Sequence, residues 1–227
     1  MKTDRRNFSL RLLFLRTEID RIIMLSVLFS IALLMARIVY TRQLTFLFLV
    51  WNMFLAFVPY VLTTQFLRKE DWVENKLKFA VGFFMWLLFI PNSFYILTDL
   101  FHLGYTKSVP IWLDLAMILS FAWNGLILGI LSVRGVERIV EIHCSPKVNA
   151  LFIYVIMLMN SLGIYIGRYL RFNSWDVVTN PFDLMIDISK LVMHPFYYKN
   201  AWSMILCFSV FMTFAYFTTK KMSERNV

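Results

Sequence analysis

Charge is scarce in this chain. Lys, Arg, Asp and Glu make up 16% of its 227 residues, where a water-soluble domain carries about a quarter, and 59% of the residues are hydrophobic. That balance excludes a soluble domain and defines a polytopic membrane protein. Cysteine is nearly absent. Cys144 falls in a loop and Cys207 inside the last apolar span, so they cannot be bridged, and neither a disulfide framework nor a thiolate metal site is expected. The chain also lacks a Gly-rich phosphate loop, a His-Glu-x-x-His and a Gly-x-Ser-x-Gly, so the familiar catalytic signatures are missing. Basic residues outnumber acidic ones, 23 to 14. The aromatics that a nucleic-acid surface would interleave with basic groups lie in lipid-length runs instead, which argues against nucleic acid as a partner.

Runs of about 20 apolar residues give six spans, at 22–40, 44–66, 77–98, 111–133, 148–168 and 201–219. The first is preceded by Lys2, Arg5, Arg6, Arg11, Arg16 and Arg21 and has no small-residue cleavage pair near Ala36, so it reads as a retained anchor. Lys and Arg concentrate before the first span, in the second loop (Arg68, Lys69, Lys76, Lys78), in the fourth (Arg134, Arg138, Lys147) and at the end (Lys220, Lys221, Arg225). Both termini are therefore expected in the cytoplasm. The fifth loop, with Arg168, Arg171, Lys190 and Lys199, is an exception to this pattern. The expected architecture is all-α: a basic cytoplasmic segment over 1–21, one six-helix membrane domain over 22–219 and a cytoplasmic tail over 220–227.

What polar character the spans contain collects on the extracytoplasmic side. "IPNSFYILTDLFHLG" (90–104) ends the third span, and its Asn92, Tyr95, Asp99 and His102 fall within about 80° of helical arc. Pro91 removes a backbone donor and frees the carbonyl of Leu87; Asn92 is placed to satisfy disturbed backbone, and Gly104 reads as the helix stop. The fourth span brings Asp114 to the same depth and Asn124 deeper. The fifth adds a stripe of Ser161, Tyr165, Arg168, Arg171 and Trp175, followed by Asn173 and Asp176. Gly-x-x-x-Gly pairs at Gly125/Gly129 and Gly163/Gly167 predict close contact between the fourth and fifth spans. Over 181–193, Asn180 as N-cap, Pro181 and Asp183 in the first turn open a short amphipathic helix that would lie in the outer interface and roof the polar cluster.

Ionisable groups near a membrane interior are costly and mark function or mutual pairing. One reading pairs Asp99 and Asp114 with Arg168 and Arg171 to lock three helices. A second makes Asp99, His102 and Asp114 acid/base groups or ligands of a divalent metal such as Zn, Mn or Mg, with oxygen-rich coordination favoured by the single histidine. A third has Arg168, Arg171 and Asn173 hold an anionic lipid headgroup, with Asn92, Tyr95, Trp175 and Asp176 in support. Arg37 is expected to snorkel. Only Asn124, Asn160 and Ser161 lie deeper and no charge is evident in the inner half, which argues against a proton relay and a transporter. A non-catalytic envelope scaffold with a protein partner is the alternative to a lipid-binding or lipid-modifying pocket formed by the third, fourth and fifth spans.

The blocks "IPNSFYILTDLFHL", "WLDLAMILSFAWNGLILG" and "GIYIGRYLRFNSWD" together resemble a bacterial membrane-protein family known as a domain of unknown function, number thirteen-sixty-one. The matching positions are Pro91, Asn92, Tyr95, Thr98, Asp99, His102, Trp112, Asp114, Trp123, Gly125, Gly167, Arg168, Arg171, Asn173, Trp175 and Asp176. The resemblance covers about residues 45–215 and implies a bacterial cytoplasmic membrane. It implies no substrate, reaction or cofactor.

Overall fold

The computed structural model describes residues 18–68, 72, 75–104, 109–142 and 144–225. The basic positions from Lys2 to Arg16, and Lys69, lie outside them. Six helices are long and apolar enough to cross a membrane: α1 (Glu18–Thr41), α2 (Phe48–Arg68), α3 (Lys76–Tyr95), α4 (Ile111–Glu141) and α5 (Pro146–Tyr165), and after a four-residue α6 (Asp176–Thr179) and α7 (Pro181–Met193) comes α8 (Lys199–Arg225). No strand occurs among the described residues. The protein is thus an all-α, multi-pass membrane protein.

Local chemistry sets several boundaries. Asn75 caps α3, its side chain accepting from the backbone N–H groups of Leu77 and Lys78 at 3.1 Å. Pro146 and Pro181 occupy first-turn positions of α5 and α7, where a missing N–H costs nothing. Asn180 does sit at the N-cap of α7, but its amide donates to the Asp183 carboxylate at 2.9 Å rather than capping a backbone N–H. Beyond Pro91, α3 tightens into a 3-10 turn over Ile96–His102 and stops at Gly104, whose φ of 80° suits glycine.

α4 is the central helix. Of its most apolar window 61% is buried, against 28–33% in the other spans. One hydrophobic cluster, with Trp86, Phe94, Ile156 and Tyr216, joins it to α3, α5 and α8; a second, with Ile23, Leu34, Met53 and Phe121, joins it to α1 and α2. Outward faces carry exposed Leu25, Phe54, Phe84, Trp123 and Phe211, an apolar surface of the kind that lipid covers. α7 buries Leu184 and Leu191 and exposes Phe182, Met185, Ile186 and Met193. Trp202 ties it to α8 by donating from Nε1 to the Leu191 carbonyl at 3.0 Å.

The two glycine pairs do not face each other as their spacing suggests. Both close on α3. A Cβ on Gly125 would lie 2.6 Å from the Ser93 carbonyl oxygen, one on Gly129 2.8 Å from the Phe94 ring, and one on Gly163 2.6 Å from Pro91 Cγ. α3 is therefore clasped from two sides, and its rigid proline ring meets Gly163 where neither backbone can yield. Gly163→Ala is expected to cost about 1–3 kcal/mol through overpacking, read as a lowered Tm of the purified protein in detergent. An unchanged Tm would mean that α3 can slide away from α5.

Candidate functional site

Arg168 organises the polar end of the bundle. It stands on a π-helical turn, Ile166–Leu170, that continues α5. Its Nη1 reaches Asp99 Oδ1 at 3.3 Å, and its Nη2 donates to the Thr98 carbonyl at 3.0 Å. The same Nη2 lies 3.0 Å from His102 Nδ1. His102 Nδ1 also lies 3.3 Å from the Asp99 carbonyl oxygen; it can only accept from the guanidinium and only donate to the carbonyl, so the two contacts select opposite tautomers of the ring. The guanidinium also lies over Tyr95 and Phe101, 5.8 and 5.6 Å from the ring centroids. Asp99 is 1% exposed, and its second oxygen accepts from Asn52 Nδ2 at 2.9 Å. Asn52 was not singled out from the sequence, although one Asn inside "LVWNMFL" of a lipid-length span was the available signal.

The pairing of Asp114 with the fifth span is corrected. Asp114 pairs with Arg37 of α1, Nε to Oδ1 at 2.6 Å, with the two side chains 1% and 0% exposed. Arg37 does not snorkel; it is sealed beneath Phe46, 4.2 Å from the ring centroid. Packing explains this, since the face of α1 that carries Val27, Ser30, Leu34 and Arg37 is the buried one and docks on α4, where Asn124 donates to Ser30 Oγ at 3.0 Å.

The fifth-span stripe breaks after Arg168. The π turn and a left-handed Arg171, φ 62°, end the helix, so Arg171, Asn173 and Trp175 leave the stripe and are exposed. Asp176 instead organises the loop, accepting from the Asn173 backbone N–H at 2.5 Å and from Thr179 at 3.0 Å. The Asn173 N–H holds the Asp176 carboxyl below the usual carboxylate range. This tie is present at neutral pH and fades as pH falls through that lowered value.

Asn92 fastens the loop to α3. Its amide donates to the Phe89 carbonyl and to Ser174 Oγ, both at 3.0 Å, and Ser174 Oγ donates to the Leu88 carbonyl at 3.1 Å. These bonds reach the carbonyls of Leu88 and Phe89, next to that of Leu87, which Pro91 deprives of its helical donor.

Beside this fastening lies a cavity of about 370 Å³. Its walls come from α2, α3 and α5, not from the third, fourth and fifth spans. Leu87, Met159 and Leu162 line its apolar part, and Leu184 and Ile188 of α7 roof it. Asn52, Asn92, Asn173, Ser174 and Tyr95 supply its polar edge. Asp99, His102 and Arg168 pack on one another behind that edge.

A divalent metal does not fit the residues as they stand. Among the described residues no three His, Cys, Asp or Glu side chains gather as ligands. Asp99 and His102 both face the Arg168 guanidinium, which would repel a cation.

The opposite end of the bundle holds a second ionic cluster, which was not singled out from the sequence. Glu137, 0% exposed, lies 23 residues beyond Asp114 on α4, or about 35 Å along the axis. Its Oε1 accepts from Lys220 at 2.8 Å and Asn149 at 2.9 Å; its Oε2 accepts from Arg134 at 2.7 Å and from Tyr216. Arg134 and Lys220 read as loop and tail charges only because α4 and α8 run beyond the apolar spans.

A six-span helical bundle with polar clusters at both ends and a lipid-facing apolar surface is an integral membrane protein. A family profile described as protein of unknown function (DUF1361) matches residues 51–215, and the chain belongs to that family. No curated protein and no solved structure matches it.

Proposed function

We propose that the protein binds a lipid or lipid-linked molecule, taking its hydrocarbon chain sideways from the bilayer into the cavity between α2, α3 and α5. The observation that carries this reading is the cavity itself: an apolar chamber under an amphipathic helix with its hydrogen-bonding atoms gathered at one edge. Trp51, Phe84 and Met159 line it and are also exposed on the lipid-facing surface, so entry is lateral. The headgroup would meet Asn92, Asn173 and Ser174. Arg171, exposed one residue before Phe172 of the cavity wall, would supply the attraction for an anionic group that Arg168, engaged with Asp99, does not. In this reading the rim faces outward across a bacterial cytoplasmic membrane, with both termini inside.

The arrangement argues for binding rather than acid/base chemistry. Asp99 and His102 share one guanidinium, and Asp114 is sealed against Arg37, so the three do not converge on one reacting atom. The same internal pairing supports the second reading, an envelope scaffold docking a protein partner. A proton relay has less support, because α4 carries no ionisable side chain between Asp114 and Arg134.

Native mass spectrometry of gently solubilised protein tests the proposal. The wild type is expected to retain a lipid that Leu162→Trp, which fills the cavity, loses; Arg171→Gln should lose preference for anionic over neutral lipid while keeping the bound chain. Equal retention in wild type and Leu162→Trp would overturn the cavity reading and leave the scaffold.

A further inference from the structure

The Glu137 end of the bundle contains a second cavity, of about 360 Å³, that the lipid-chain reading does not use. Glu137, Glu141, Asn149 and Lys220 line it. Asn149 is 5% exposed. Both its amide hydrogens are spent, on Glu137 at 2.9 Å and on Glu141 Oε1 at 3.2 Å, which fixes its orientation. Turning the amide over would set its oxygen against two carboxylates. Its Oδ1 is left buried with no donor among the described residues, a costly state for an amide carbonyl. Glu141, 40% exposed, accepts from Lys220 at 3.0 Å and from Asn149 through one oxygen only. Lys220 uses two of its three N–H groups, on Glu137 and Glu141.

The cavity wall therefore offers two acceptors, Asn149 Oδ1 and the second oxygen of Glu141, beside one spare cationic donor. We propose that this cavity binds a primary ammonium carried next to a phosphate. The ammonium donates to Asn149 Oδ1 and Glu141, and the phosphate accepts from Lys220. Phosphatidylethanolamine and soluble phosphoethanolamine share this chemistry. A quaternary ammonium does not fit, having no N–H to give Asn149. An anionic headgroup without an amine leaves Asn149 unserved and meets Glu141.

Native mass spectrometry of the full chain in detergent, titrated with phosphatidylethanolamine, phosphatidylcholine and phosphatidylglycerol, reads the preference. Phosphatidylethanolamine is expected to bind about tenfold more tightly than phosphatidylcholine, the worth of one hydrogen bond to a charged group. Glu141→Gln, at a 40% exposed position, should remove that margin and, by lifting the repulsion from the carboxylate, strengthen phosphatidylglycerol binding; Asn149→Leu should remove the margin where it folds. Displacement by phosphoethanolamine would assign the site to a soluble amine, and failure to displace would assign it to the lipid. Equal binding of phosphatidylethanolamine and phosphatidylcholine, or a preference untouched by Glu141→Gln, would overturn the proposal. The filled-cavity variant Leu162→Trp lies outside this site and should leave the preference intact.

Discussion

Glu137→Leu is expected to lose about 3–5 kcal/mol of stability, the cost of breaking a buried ion pair by removing one partner. The carboxylate holds four groups from three helices: Arg134 of its own helix, Asn149 of α5, and Tyr216 and Lys220 of α8. Leucine fills similar space but leaves one N–H of the Asn149 amide and the fully buried Tyr216 hydroxyl without an acceptor. Lys220→Met should cost less, about 1.5–3 kcal/mol, because Glu137 keeps Arg134, Asn149 and Tyr216. Equilibrium unfolding of the purified variants in detergent orders the two. If Lys220→Met were the more damaging, α8 would be held by its lysine rather than by the glutamate, and the hub would have to be reassigned.

The other large effect is expected at Arg37. Arg37→Met alone should cost about 3–5 kcal/mol, because it strands Asp114 at 1% exposure. Adding Asp114→Leu should recover most of that loss, since two apolar side chains can replace a buried ion pair almost without penalty. The recovery is read as a double-mutant cycle on unfolding free energy. A double variant as unstable as the sum of the singles would mean that the pair is not the main link between α1 and α4.

The six spans were legible because length and apolarity are properties of a single helix. The Asp99–Arg168 pair was legible too, because shared depth and helical stripes brought those positions to one level. Shared depth could not choose among partners. Arg37, Arg168 and Arg171 all lie near one end of their spans, and which one meets Asp114 depends on how α1 is arranged around α4, a fact of packing between distant segments. Arg171 was misplaced because a π turn and one left-handed residue rotate everything after Arg168 off the stripe. The Glu137 cluster was missed for a different reason: Lys and Arg at span ends were counted as a topology signal, and the helices run past the apolar segments that define those ends. Asn52 was passed over as a lone amide, whereas its partner is a carboxylate 47 residues away.

The ion pairs also set a timetable for synthesis. Arg37 emerges 77 residues before Asp114, Asp99 emerges 69 residues before Arg168, and Glu137 emerges 83 residues before Lys220. At about 5–20 residues per second, Arg37 and Asp99 spend on the order of 4–15 seconds without a counter-charge, whereas Glu137 already has Arg134 on its own helix and waits only for its lysine. In the first two cases a charge bound for the bundle interior has left the ribosome before the helix that neutralises it exists. The nascent protein must shelter those groups in water or in the insertion machinery. Its α1–α3 portion cannot settle into lipid as a finished unit, and the bundle closes only when α8 delivers the last lysine.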